Sequence, residues 1–124
     1  MIKETYLGVI GKKLKEYPDA RFYIVMRSLP KWAKDMVEKD DRVEYLPILS
    51  PSKKLFMDYK YNGLPWDEYV PIFLHEMESI DTQEKMRAIV EESKTNIVFL
   101  VCVEKTTKFC HRFLLLDLMR KLDN

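Results

Sequence analysis

The sequence predicts an α/β fold: one compact domain in which a small parallel or mixed sheet is covered by helices, with Rossmann-like layering. Short runs rich in β-branched and aromatic residues alternate with longer segments of helical periodicity, as in strands joined by crossover helices. Residues 97–103 are apolar without alternation, which is typical of a strand buried on both faces. With 124 residues, 47% of them hydrophobic, the chain can build one core, and we expect residues 1–124 to form a single domain.

Four segments are predicted to be strands. Residues 2–7 are a weak first candidate, and residues 21–27 follow with an aromatic and β-branched run. Residues 42–46 are a short third candidate, and residues 97–103 are the most apolar of the four. The last strand is expected in the middle of the sheet, because only a central strand buries both of its faces.

Helical segments are predicted between these strands. Residues 9–17 form at best a short helix, since glycines interrupt the segment. Ser28 and Ser50 each stand close before a proline and are interpreted as N-caps of the two helices that follow. The first of these carries an apolar face over residues 29–37. The second should end at residues 62–63, an Asn-Gly pair that tolerates left-handed backbone.

Three further helices are predicted in the second half of the chain. Residues 65–77 keep helical spacing, and Pro71 within them should kink or split the helix. Asp81 with Glu84 is predicted to form a capping box for the next helix. Residues 109–122 form the closing helix.

Composition limits the classes of partner. Basic and acidic residues nearly balance, 21 against 20, whereas most nucleic-acid-binding domains carry a clear basic excess. No apolar run reaches the length of a membrane span, and the N-terminal stretch, which carries charges at Lys3 and Glu4, shows no signal-peptide apolar core. We therefore expect a cytoplasmic protein with no nucleic-acid or membrane partner. Its cysteines should be free thiols, and a Cys102–Cys110 disulfide is the less expected alternative.

The chemistry is expected between residues 102 and 112. Both cysteines of the chain, Cys102 and Cys110, fall in this stretch together with Glu104, His111 and Arg112. The segment has the order strand, turn, helix. Open α/β proteins bind ligands at this place, because the carboxyl ends of the strands and a helix N-terminus meet there.

Cys110 is the candidate nucleophile. With Thr106 or Thr107 as N-cap, Cys110 falls in the first turn of the last helix, where the helix dipole and free backbone N–H groups favour a thiolate. His111 and Arg112 beside it would lower its pKa further. We therefore predict that, if its sulfur faces the cleft, the Cys110 thiol is more acidic than an ordinary cysteine and more acidic than Cys102. Burial under Phe109 and Phe113 would instead raise its pKa.

Two interpretations of this stretch remain open. In the first, Arg27 at the end of the second strand joins Arg112 and Cys102 in binding a small anionic ligand, such as a nucleotide, and Glu104 or His111 moves protons. In the second, the same residues form a buried polar network that ties the strand ends to the last helix, and the protein is a binding or scaffold domain. The sequence assigns no cofactor.

Other chemistries fit less well. Zinc could be held by Cys102, Cys110, His111 and Glu104, but the cysteine spacing exceeds the Cys-x2–4-Cys of structural sites, and we predict no metal. A phosphatase or rhodanese-type loop needs an arginine where this chain has Lys108.

We interpret the aromatic residues of the helical segments as core rather than as a base-stacking surface. They keep helical spacing, and the chain lacks a basic excess. These residues are Trp32, Tyr59, Tyr61, Trp66 and Tyr69.

Residues 102–112, Cys-Val-Glu-Lys-Thr-Thr-Lys-Phe-Cys-His-Arg, resemble the Cys-x-Glu-Lys-x-x-x-Phe-Cys-His-Arg signature of family 488 among the domains of unknown function. Residues 23–32, 46–61 and 66–69 resemble looser family segments, including a Leu-Ala-Pro-Ser-Lys-x-Leu stretch that here reads Leu-Ser-Pro-Ser-Lys-Lys-Leu. The resemblance covers roughly residues 20–120. It implies a compact α/β domain in which Arg27, at the end of the second strand, lies close to the Cys-His-Arg segment. It implies no particular reaction.

Overall fold

The sheet has four parallel strands in the order β1-β4-β2-β3. In a computed structural model, which describes residues 1–103 and 110–123, the strands are β1 (Ile2–Tyr6), β2 (Arg21–Ile24), β3 (Val43–Tyr45) and β4 (Val98–Cys102). The α/β prediction is confirmed, and the sheet is parallel rather than mixed.

Helices occupy the connections between the strands, as parallel pairing requires. The α-helices of the described residues are α1 (Ile10–Glu16), α2 (Lys31–Lys39), α3 (Lys53–Tyr61), α4 (Trp66–Glu76), α5 (Ile80–Ser93) and α6 (His111–Leu122). Short 3-10 turns at Leu7–Val9 and Pro47–Leu49 precede α1 and α3. Among the described residues, no helix is long and apolar enough to cross a bilayer.

Two apolar layers cover the two faces of the sheet. On one face, α1 and α2 pack against Phe22, Ile24, Phe99 and Val101. On the other face, α3 to α6 pack against alternate residues of the same strands. This three-layer arrangement is the Rossmann-like layering that the sequence predicts, because neighbouring residues of a strand point to opposite faces.

Strand β4 lies between β1 and β2, and all five of its residues are buried. Phe99 stacks on Phe22 of β2 with ring centroids 4.9 Å apart. The apolar run at 97–103 is therefore a central strand, as predicted, with its first and last residues outside the assigned strand.

Helix starts differ from the predictions by one or two residues. Helix α2 begins at Lys31 with Pro30, not Ser28, as N-cap. The cap of α3 is Ser52, whose hydroxyl accepts a hydrogen bond from the Leu55 N–H. The predicted cap Ser50 instead donates its hydroxyl to the Pro47 carbonyl, so this side chain closes the preceding turn.

The later helices show the same kind of shift. Helix α5 is capped by Ser79, which accepts from the Thr82 N–H, and not by the Asp81–Glu84 box. Pro71 lies inside α4, which remains one helix. The Asn62-Gly63 end of α3 is confirmed, because Gly63 has the left-handed φ of 76° that favours glycine.

The chain leaves β2 and β4 toward opposite faces of the sheet. Helix α2 follows β2 on one face, and α6 follows β4 on the other. Such a divergence opens a crevice at the carboxyl ends of the two strands, where α/β proteins bind their ligands.

Candidate functional site

A cavity of ≈ 490 Å³ lies at the carboxyl ends of β2 and β4. We call it the β2–β4 cavity. Its lining comes from the loop after β2, from α3 and α4, and from both sides of the connection between β4 and α6. Segments that are far apart in sequence therefore meet at this one crevice.

The floor of the cavity holds Cys102, Cys110 and His111, which we call the Cys–His cluster. Cys102 ends β4, Cys110 is the N-cap of α6, and His111 is the first residue of that helix. Their potential metal-ligating atoms all lie within 4.8 Å of one another, and all three residues are buried. His111 Nδ1 is 3.9 Å from Cys102 Sγ and 4.0 Å from Cys110 Sγ.

A hydrogen bond to the sheet fixes the orientation of the His111 ring. Its Nε2 contacts the Val25 carbonyl oxygen, and a carbonyl can only accept, so Nε2 carries the proton. In the neutral ring, Nδ1 then keeps its lone pair, which faces the two sulfurs. Phe73 packs against the ring with centroids 5.6 Å apart.

The prediction of an acidic Cys110 is wrong in this structure. Helix α6 begins at His111, so Cys110 precedes the first turn rather than lying in it. The pKa of its thiol is raised, first by the hydrogen bond to Cys102 and then by burial, while Arg112 opposes the shift. Two buried sulfurs in contact do not share two negative charges readily, and this effect outweighs the helix terminus.

Arg112 links β1 to the Cys–His cluster. Its side chain is 1% exposed, and its Nε donates to Glu4 Oε2 over 2.6 Å. Its Nη1 lies 3.9 Å from Cys110 Sγ, and its guanidinium stands over the Phe113 ring. Sequence reasoning missed Glu4 as a partner, because the two residues are 108 positions apart.

Arg27 lies at the rim of the cavity. It follows β2, it is exposed, and it forms no ion pair with another described residue. Lys60 on α3 is a second rim cation, and its ammonium stands 5.2 Å from the Phe56 ring centroid. Glu104 falls within residues 104–109, outside the described residues, so its role in proton transfer stays a prediction.

The wall of the cavity is aromatic, which the sequence did not assign to the site. Trp66 and Tyr69 stack with centroids 4.8 Å apart, and Tyr59 lies 5.6 Å and 4.9 Å from them. Tyr69 is buried in the core, as predicted, yet it also lines the cavity. Trp32 and Tyr61 are 50% and 63% exposed, so their assignment to the core is wrong.

Comparison with known proteins gives one family. The model of the active DUF488-N3 subclade, DUF488-N3a, matches residues 10–122. The chain belongs to the DUF488-N3a family. This confirms the resemblance to family 488, although the match does not single out the Cys102–Arg112 signature. No curated protein and no solved structure matches the chain.

Proposed function

We propose that this DUF488-N3a protein binds a small anionic molecule with an aromatic ring, such as a nucleotide, in the β2–β4 cavity. The observation that carries the proposal is the composition of the described lining: four aromatic side chains and two rim cations, with no carboxylate. The cavity volume of ≈ 490 Å³ falls in the range of about 300–1,000 Å³ that is usual for small-molecule sites.

The aromatic wall supports a planar ligand group. Trp66 and Tyr59 are partly buried, and each lies beside Tyr69. A base that stacks on such side chains gains about 1–3 kcal/mol. This contact recognises a π-face and makes few demands on the pattern of hydrogen bonds around the ring.

The rim cations support an anionic group at the other end of the ligand. An arginine can bind a phosphate or carboxylate with two parallel hydrogen bonds, and a lysine adds a point charge. Arg27 is available for this role because no described carboxylate pairs with it. Lys60 lies on α3, and its ammonium group stands over the Phe56 and Tyr61 rings.

The Cys–His cluster marks the end of the cavity where a reaction would take place. Cys102, Cys110 and His111 all line the cavity floor, so a bound molecule meets a sulfur or an imidazole nitrogen there. Glu104 belongs to the segment that joins the two cysteines in sequence, and we keep it with Cys110 and His111 as a candidate for the chemical step.

Ligand titration tests the proposal. Calorimetry with nucleoside monophosphates and with the matching nucleosides should show binding of the nucleotides, and Arg27→Ala should weaken it by about tenfold, the loss of one charged hydrogen bond. Affinity for the nucleosides should change little. Arg87→Ala is the matched control, because Arg87 is exposed on α5 and does not line the cavity. If the wild type binds no nucleotide, or if Arg27→Ala binds as tightly as Arg87→Ala, the proposal is wrong.

A scaffold role is the second candidate, and one observation favours it. Arg112 donates a hydrogen bond to Glu4, and His111 donates one to the Val25 carbonyl. These two bonds anchor α6 to the strands. In this case no cavity ligand is needed. Variants of the Arg112–Glu4 pair would then lower stability, while every ligand titration of the wild type would stay flat.

A further inference from the structure

We propose that Cys102, Cys110 and His111 bind one thiophilic divalent cation, Zn²⁺ by preference, and leave a fourth coordination position open to the β2–β4 cavity. The site differs from the sequence prediction of no metal. It is also independent of the nucleotide proposal, because it rests on the floor of the cavity and not on its rim or wall.

The distances between the donor atoms fit one tetrahedral ion. With Zn–S of about 2.3 Å and Zn–N of about 2.0–2.1 Å, a sulfur and a nitrogen on the same ion lie about 3.6 Å apart. His111 Nδ1 stands 3.9 Å from one sulfur and 4.0 Å from the other. Relative to the imidazole nitrogen, each sulfur therefore needs to move by only a few tenths of an ångström, and the two sulfurs lie within 4.8 Å of each other.

The donor set selects the cation. Two thiolates and an imidazole favour Zn²⁺ and other soft or borderline ions over Mg²⁺ and Ca²⁺, which take oxygen ligands. Binding releases one proton from each thiol, so that the dication meets two thiolates and the site becomes neutral. The Arg112 guanidinium, 3.9 Å from Cys110 Sγ, supports negative charge on that sulfur.

The surroundings of His111 match those of a metal ligand. Metal-binding histidines commonly donate their second ring N–H to a carbonyl or carboxylate, which sets the tautomer and the ring orientation. Here Nε2 donates to the Val25 carbonyl and Nδ1 is left for the ion. The ring is already oriented, so binding costs little ordering of this ligand.

The long spacing between the cysteines has a structural explanation. Short Cys-x2–4-Cys spacing belongs to structural zinc sites. In this protein the first ligand ends a central strand and the other two begin a helix. The packing of α6 against the sheet thus brings the three ligands together.

The open position gives the site a chemical role. Zinc with three protein ligands keeps a water or a substrate atom as the fourth ligand, and the ion lowers the pKa of that water to about 7. Cys102, Cys110 and His111 all line the cavity. The fourth coordination position would therefore face any molecule that the cavity holds. The ion would act on that molecule as a Lewis acid or through a bound hydroxide.

Cobalt substitution tests the site directly. Reduced protein freed of metal by a chelator should bind Co²⁺ at one ion per chain, with a thiolate-to-cobalt charge-transfer band in the near ultraviolet and tetrahedral bands in the visible range. Added Zn²⁺ should abolish the spectrum and Mg²⁺ should not. Cys102→Ser, Cys110→Ser and His111→Gln should each weaken Co²⁺ binding by at least tenfold. His75→Gln is the matched control, because the His75 side chain is 83% exposed and lies outside the cluster.

Two measurements keep the test decisive even if a cluster variant misfolds. Far-ultraviolet circular dichroism first selects the variants that are folded. Zn²⁺ should also raise the melting temperature of the wild type, and Mg²⁺ should leave it unchanged. The site is refuted if folded, reduced wild type gives no charge-transfer band and keeps no zinc through gel filtration. It is equally refuted if non-reduced protein, once unfolded, titrates no free thiol, because a disulfide would then consume both ligands.

Discussion

Arg112 shows how one side chain links the site to the sheet. It is among the most buried residues of the protein, yet it is charged, and Glu4 on β1 supplies its opposite charge at 2.6 Å. A buried charge that loses its partner is costly. The position of α6, and with it the placement of Cys110 and His111, therefore depends on a residue at the other end of the chain.

Glu4→Gln should lower the free energy of unfolding by about 1–3 kcal/mol, between the values for fully buried and for exposed ion pairs. The intermediate value follows from the burial of the pair, since Arg112 is 1% exposed and Glu4 is 32% exposed. Urea denaturation at neutral pH measures the loss. Glu16→Gln is the control, because Glu16 pairs with Lys12 and Lys13 on the surface. Equal urea midpoints for the two variants would show that the Glu4 contact contributes little.

The connections between elements contain a second charged clamp. Arg42, just before β3, donates from Nη1 to the Leu14 carbonyl of α1 and to the Pro18 carbonyl in the turn after it, and from Nε and Nη2 to Asp40. These bonds join the start of β3 to the turn that leads into β2. They also hold the pKa of Asp40 below its ordinary value, chiefly through the hydrogen bond from Arg42.

Asp40→Asn should therefore destabilise the protein in a pH-dependent manner. A depressed carboxyl pKa stabilises the fold above the ordinary value of about 3.9 and ceases to do so as pH falls through the lower folded value. We expect a loss of about 1 kcal/mol at pH 7 that shrinks steadily below pH 4. Thermal unfolding over a pH series, with Asp41→Asn as the exposed neighbouring control, gives the comparison. A loss that stays constant down to pH 2 would contradict the charged clamp.

Helix ends were harder to predict than helices, for a physical reason. Two serines lie near the start of α3, and the one that caps the helix is decided by the turn before it. Ser50 bonds to the Pro47 carbonyl, which leaves Ser52 to cap α3. The start of α6 matters for the chemistry. The helix begins at His111 and not near residue 109, so Cys110 lies outside its first turn.

The architecture as a whole follows from the placement of β4. Its uninterrupted apolar run requires cover on both faces, and this requirement fixes a central parallel strand with helices on each side. The sequence therefore predicts the fold class and the edge of the sheet where the site lies. It does not predict the aromatic wall, because Tyr59 and Trp66 reach the cavity only through the long crossover between β3 and β4. It also does not predict the Glu4–Arg112 pair, which depends on β1 lying beside β4.

Val101→Asp should abolish cooperative unfolding or cost several kcal/mol, about the cost of an unpaired charge in the core. Val101 is fully buried in β4, with helices covering both faces of the sheet. Val103→Asp introduces the same change two residues later, where the side chain is 55% exposed, and should cost less than about 1 kcal/mol. Circular dichroism during heating compares the two. Similar melting curves would contradict a central position for β4.

The most direct test of the account locates the ligand on the molecule. Amide chemical shifts of isotope-labelled protein, followed during titration with a nucleoside monophosphate, should change in the loop after β2, at the start of α6 around Cys110 and His111, and along the wall at Trp66 and Tyr69. The exposed face of α2 should keep its shifts and serves as the internal control. If no shifts change, or if they change on α2 and not at the carboxyl ends of β2 and β4, the β2–β4 cavity is not the ligand site.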